Sequence, residues 1–117
     1  MSAPRHSAEA QEAGLKGSAP LFAALGDETR LRIVARLCAD GPLSIVRLTS
    51  GMDVTRQAIT KHLHVLEHAG LVRGIRQGRE RLWELEPHQL QEARRCLELI
   101  SQQWDEALDR LKQAVER

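Results

Sequence analysis

Between Val54 and Leu71 the apolar residues Ile59, Leu63 and Leu66 recur three or four positions apart, the period of a helix with one buried side. Thr55 offers an N-cap hydroxyl and Gly70 a left-handed stop, so the spacing predicts a helix between them. At about 100° per residue, Arg56, Gln57, Thr60, Lys61 and His64 fall on the opposite side, with His68 further along. The period then shortens to two. Val72 to Leu85 reads as two short strands joined at a Gln77-Gly78 turn, with arginines around the bend.

Upstream, Pro20 to Leu25 predicts a short apolar helix, and Asp27 caps a second whose core side is Leu31, Val34, Leu37 and Cys38. Gly41-Pro42 ends it. Ser44 opens a third short helix through Leu48, Gly51 breaks the chain, and Asp53 to Thr55 form the turn into the helix described above. Ile45, Leu48, Ile59, Leu63 and Leu66 are expected to pack on the second helix, leaving the polar side of the last one free. Helix, turn, helix and basic hairpin together make a winged helix-turn-helix: a mainly α fold with a small β-hairpin.

Past Pro87 the pattern runs almost thirty residues without internal proline or glycine. Leu90, Leu97, Trp104 and Leu111 repeat every seven residues, Ala93, Ile100, Ala107 and Ala114 fill the seam between them, and Leu108 and Val115 widen it. A helix of about 43 Å outruns a small domain, so a dimer seam is favoured over lengthwise packing on the chain's own core. The predicted dimer interface comprises Leu21, Leu25, Leu90, Ala93, Leu97, Ile100, Trp104, Leu108 and Leu111. The expected division is a loose tail over 1–17, a winged helix-turn-helix over 18–86 and a C-terminal dimerisation helix over 87–117.

A length of 117 residues allows one modest core, and no apolar run approaches membrane-spanning length. The first 17 residues lack the basic start and apolar core of a secretory signal, which predicts a cytoplasmic protein without membrane contact. Net charge is +1, but its distribution matters more than its sum. Thr55 to Trp83 carry six bases against two acids, a net of +4, whereas Glu84 onward carries five against eight, a net of −3. The helix and hairpin suit a polyanion and the final helix does not.

The chemistry of the polar helix side is that of base reading. Arg56 can fork onto guanine, Gln57 can pair with an adenine edge, and Thr60 and Lys61 can hold a base or phosphate, with His64 beside them. Arg76, Arg79 and Arg81 on the hairpin can reach backbone or minor groove. Ordinary solvent exposure is the plain alternative for any one of them. The implied partner is double-stranded DNA, the rival being a winged helix that docks an acidic protein through the same cations. No acid–base pair, activated nucleophile or phosphate-cradling glycine loop is present, so an enzyme is not indicated. His64 and His68, four apart with no third ligand, do not nominate a metal site, and no cofactor is expected. His62 is expected to be half-buried against the wing, and Cys38 and Cys96 to be buried thiols.

The segment Leu21-Phe22-Ala23-Ala24-Leu25-Gly26-Asp27-Glu28-Thr29-Arg30-Leu31-Arg32-Ile33 and the stretch from Thr55 to Val72 resemble the ArsR-type (ArsR/SmtB-like) winged-helix transcriptional regulators. The Leu-x-Asp-x-Thr-Arg-x-x-Ile opening and the Lys-His-Leu-x-x-Leu-x-x-Ala-Gly-Leu-Val close stand in the family's order and spacing. The resemblance implies a homodimeric repressor on an inverted-repeat operator, with Thr55 capping the reading helix, Arg56, Gln57, Thr60 and Lys61 facing the major groove, and Arg79 and Arg81 on the wing. Many relatives carry metal or metalloid ligands; here the third helix continues Arg47-Leu48-Thr49-Ser50-Gly51-Met52-Asp53 without Cys-x-Cys, and the final helix offers only His88 at its start. The chain is therefore similar to the subset without metal-ligand motifs, and its effector is unknown. Some relatives switch through thiols, which makes a redox-responsive repressor using Cys38 and Cys96 a further alternative.

Overall fold

The computed structural model describes residues 16–116. Helix α1 spans 16–25 and is broken at Gly26. Helix α2, Glu28–Asp40, starts where the Asp27 carboxylate accepts the Arg30 backbone N–H. After the two-residue strand β1, Leu43–Ser44, helix α3 spans Ile45–Thr49 with Ser44 as its N-cap. Helix α4, Arg56–His68, opens with the Thr55 hydroxyl accepting from the Ala58 N–H at 3.1 Å. Strands β2, Val72–Gln77, and β3, Glu80–Leu85, form a hairpin, and helix α5 runs over Pro87–Glu116. The expected tail over 1–17 lies largely outside the described residues; its last two positions, 16 and 17, already belong to α1, which begins earlier than the proline at 20 suggests.

The end of α4 shows how local chemistry sets the wing. Gly70 adopts φ 77°, which costs an L side chain energy but not glycine. Its N–H donates to Glu67 O and the Leu71 N–H donates to Leu66 O, both at 2.9 Å, closing the last helical carbonyls as in a Schellman cap. Leu66 and Leu71 are both fully buried, so the same turn that stops the helix delivers the chain into β2 across the core.

The hairpin turn is displaced from the sequence expectation by one residue. Gln77 pairs with Glu80, so the loop residues are Gly78 and Arg79. Gly78 has φ 65° and Arg79 does not have positive φ, the arrangement a two-residue loop with glycine first requires. The wing is also larger than a hairpin. β1 pairs antiparallel with β3, Leu43 opposite Trp83, giving the order β1-β3-β2. Two residues carry no period, which hid β1 in the sequence.

One core joins these layers. Ile33, Leu48, Ile59, Leu63, Leu66, Leu71 and Trp83 are almost fully buried, with Leu21 and Ala24 from α1 and Ala93 from α5 closing the sides. Truncating Leu63 to alanine at its centre costs about 2–5 kcal/mol. On α2 the buried face is Ile33 and Leu37 with Val34 at its edge, whereas Leu31 and Cys38 are exposed, a correction to the expected phase. Arg30, one turn before Ile33 and Val34, lies toward the same side and bonds α1 and α4.

The short α3 is held from behind. Arg36 of α2 donates through Nη1 to the Leu48 and Ser50 carbonyls at 2.7 and 2.6 Å, meeting acceptors that a helix end leaves open. Helix α5 differs from the rest: 30 residues give about 45 Å of length, yet its last buried residue is Cys96 and residues 101–116 are all exposed. The molecule is accordingly elongated, 64 × 31 × 20 Å. No helix of the described residues is long and apolar enough to cross a membrane.

Candidate nucleic-acid interface

Ile59, Leu63 and Leu66 anchor α4 inward and thereby turn Arg56, Gln57, Lys61 and His64 outward, all four exposed. Thr60 is half-buried, its hydroxyl donating to the Arg56 carbonyl at 2.8 Å, so its oxygen is left to accept rather than donate. Thr55 is committed to the cap. Arg56 and Lys61 make no ion pair with a described residue and present unneutralised charge. His68 is exposed further along the helix, beside exposed Val65.

The wing separates its arginines by face. In the β2–β3 register Arg73 opposes Glu84, Gly74 opposes Trp83 and Arg76 opposes Arg81. Alternation puts Trp83 and Arg81 on one face with Gly74 and Arg76, and Arg73 with Glu84 on the other. Arg73 is neutralised there: its Nε donates to Glu84 at 2.6 Å and its Nη1 lies 3.4 Å from Glu86. The Glu84 hydrogen bond, followed by the charges of Glu84 and Glu86, raises the Arg73 pKa. A cation counted toward the positive helix–hairpin segment is thus spent within the wing.

Arg81 is likewise turned back. Directly opposite Arg76 it would face a like charge. Instead its guanidinium lies over the Trp83 ring, 4.6 Å from the centroid, with Nη2 4.0 Å from Glu67 of α4. Gly74 makes the room, since a Cβ there would stand 2.8 Å from Arg81 Nε. His64 meets the Trp83 ring edge-on at 6.2 Å and lies 3.5 Å from Glu67. The side chain that touches the wing is therefore His64. His62, expected there, is half-buried against Asp27 and Arg30 instead, because it lies on the α2 side of the helix. Glu67 is an acid set among these cations, close to both His64 and Arg81. What projects without a charged partner among the described residues is Arg56 and Lys61 on α4, and Arg76 and Arg79 on the wing.

The face of α5 is the second candidate surface. Leu97, Ile100, Trp104, Leu108, Leu111 and Val115 follow one another at three- and four-residue steps, and all are exposed, Trp104 at 65%. Beside them a groove is lined by Leu25, Leu90, Ala93, Arg94, Leu97 and Ser101. Leu21, 3% exposed, and Ala93, 6%, are already in the protomer's own core, whereas the other residues expected at a seam line the groove or stand exposed. Cys38 is exposed on α2 and Cys96 is buried on the inner side of α5. Among the described residues no group of three or more His, Cys, Asp or Glu side chains converges as metal ligands would.

Sequence reasoning missed Trp83 as the hinge between α4 and wing, although it sits in alternation with Arg81 and Leu85. It also missed Gly74, whose signal would have been a glycine inside a strand, where a neighbouring group comes close.

The helix-turn-helix domain family model matches residues 25–75. The HTH-type transcriptional regulator Rv2034 of Mycobacterium tuberculosis is 38% identical over 93 residues, covering 80% of this chain and 83% of that protein. The arsenical resistance operon repressor of Escherichia coli is 38% identical over 68 residues, 58% of each chain. Among solved structures, an ArsR-like transcriptional regulator from Rhodococcus sp. RHA1 superposes with a TM-score of 0.69 at 38% identity, covering 85% of this chain and 92% of that one. Domain match, near full-length kinship and shared winged helix-turn-helix fold agree: the chain belongs to the ArsR family of transcriptional regulators.

Proposed function

We propose that the protein is a homodimeric repressor that reads an inverted-repeat operator, with one α4 in each of two successive major grooves. The observation that carries this reading is the outward face of α4, where Arg56 and Lys61 stand without ion-pair partners among the described residues, beside exposed Gln57. In the groove Arg56 pairs with guanine, Gln57 with adenine, and Lys61 with a base or phosphate. Arg76 and Arg79 take the flanking backbone, while Arg81 holds the wing against α4. His64 lies at the edge of the read sequence, and Thr55 and Thr60 support from the helix.

The second copy follows from α5. Its apolar stripe extends beyond the domain that could cover it, and a two-fold pairing of this stripe, with Leu25 and Leu90 at its base, buries the face in both subunits. Repression is supported by the similarity to the Escherichia coli protein, which is named a repressor. Selection of bound duplexes from a random pool tests the whole reading. The expected product is a palindrome with half-sites about 10 base pairs apart, bound with steep salt dependence. Placed over a promoter, that site should lower reporter output when the protein is present. Recovery of no preferred sequence, or of a single asymmetric half-site bound by a monomer, overturns it.

A further inference from the structure

Two sequence motifs meet in space away from the reading face: the Asp27-x-x-Arg30 head of α2 and the Lys61-His62-Leu63 step of α4. Arg30 Nε donates to the Ala24 carbonyl in the last turn of α1. The same guanidinium brings Nη1 to 3.3 Å from His62 Nδ1, and the Asp27 carboxylate, which caps α2, lies 3.8 Å from that nitrogen. A guanidinium only donates, so His62 Nδ1 accepts and the ring proton sits on Nε2. One arginine thereby ties the end of α1, the head of α2 and the back of α4.

This tie is placed to do what apolar packing does not. Ile59, Leu63 and Leu66 hold α4 to the core and set its inward side, but the hydrophobic effect is itself non-directional. A hydrogen bond is directional. His62 lies about 100–160° around the wheel from Arg56, Gln57, Thr60 and Lys61, so a roll that breaks its bond swings those side chains by the same angle. At the other end, Ala24 adjoins Leu25 at the groove between α1 and α5.

We propose that His62 is a positioning residue for duplex recognition: held by Arg30, it fixes the roll of α4 against the α1–α2 corner so that Arg56, Gln57 and Lys61 meet base edges in register. The proposal rests on the reading that α4 enters the major groove. Its consequence is selective. Loss of the tie spares attraction to phosphates, which needs only charge, and weakens discrimination between sequences, which needs alignment.

The test compares the affinity of the full chain for a duplex selected by the wild type with that for a shuffled duplex of the same composition. His62→Ala is expected to lower the ratio by about tenfold or more, the scale of one hydrogen bond to a charged group, while shuffled-duplex affinity and its salt slope stay as in the wild type. His62→Asn, whose amide oxygen can stand where Nδ1 stands, is expected to restore the ratio; His62→Gln, which places its amide nearer Nε2, is not. Arg30→Gln should reproduce the loss, with no further loss in the double variant. An unchanged ratio in His62→Ala overturns the proposal. So does equal loss on both duplexes without rescue by asparagine, the mark of a merely structural role. A wild type that shows no sequence preference overturns the groove reading, and this proposal with it.

Discussion

The Arg81 guanidinium lies over the Trp83 ring, 4.6 Å from its centroid, and the bare Cα of Gly74 makes the space. Removing the cation in Arg81→Ala should cost about 0.5–1 kcal/mol, a few degrees in Tm. Gly74→Ala should cost a similar amount by pushing the arginine off the ring. The double variant should lose less than the sum, because both changes break one contact. Thermal melts of the four proteins check this, and additive losses would show that the two changes do not act on one contact.

Arg56 and Arg79 both lack an ion-pair partner among the described residues, yet they should fail differently. Arg56→Ala is expected to relax preference at one base position, at a cost of about 1–3 kcal/mol for the cognate base. Arg79→Ala, at the hairpin tip, should weaken all duplexes alike and reduce the salt slope by about one. Titrations against single-position variants of a selected site, at several salt concentrations, separate the two behaviours.

Asp27 titrates below its usual range, held there chiefly by the backbone hydrogen bond from Arg30 and further by the Arg30 charge, against some desolvation. A carboxylate depressed by folding adds stability above its unfolded pKa and loses it as pH falls through the folded one. Asp27→Asn keeps a capping oxygen and removes the charge. The Tm gap between wild type and variant should therefore be present at pH 7 and close as pH falls below about 4. A gap constant from pH 7 to 2.5 would show that the charge is not what stabilises the corner.

Trp104 stands 65% exposed at the middle of the α5 stripe. Trp104→Glu should leave the protomer fold intact and weaken self-association by about 100-fold or more, as truncation of a central anchor does. Sedimentation velocity across a concentration series would reveal the monomer, with circular dichroism unchanged.

Much of the architecture was legible because it is periodic. Ile59, Leu63 and Leu66 fixed the phase of α4, and with it the outward set Arg56, Gln57, Lys61 and His64. The long repeat from Leu90 gave α5 its length, and the Gly70 stop gave the entry to the wing. What was missed depends on contacts between distant residues. Leu31 and Cys38 fit a helical repeat as well as Ile33 does, and which face turns inward depends on partners distant in sequence: the core that takes Ile33 and Leu37, and the bonds of Arg30 to Ala24 and His62. Likewise Arg73 and Arg81 look like free cations in a string of residues; strand register and a missing side chain at Gly74 hand them to Glu84 and Trp83. β1 is two residues long and exists because β3 offers an edge.

The grip of Arg36 on the Leu48 and Ser50 carbonyls bears on transplantation of the motif. Five residues of α3 are far too few to persist alone in water. A peptide cut from 44–69 would keep both helical sequences and lose the arginine that ties the end of α3 to α2, so it should be unstructured. A chimaera that borrows the helix pair must therefore import α2 together with the two helices it packs on, and Arg36→Ala should disable such a graft without changing any residue of the outward face of α4.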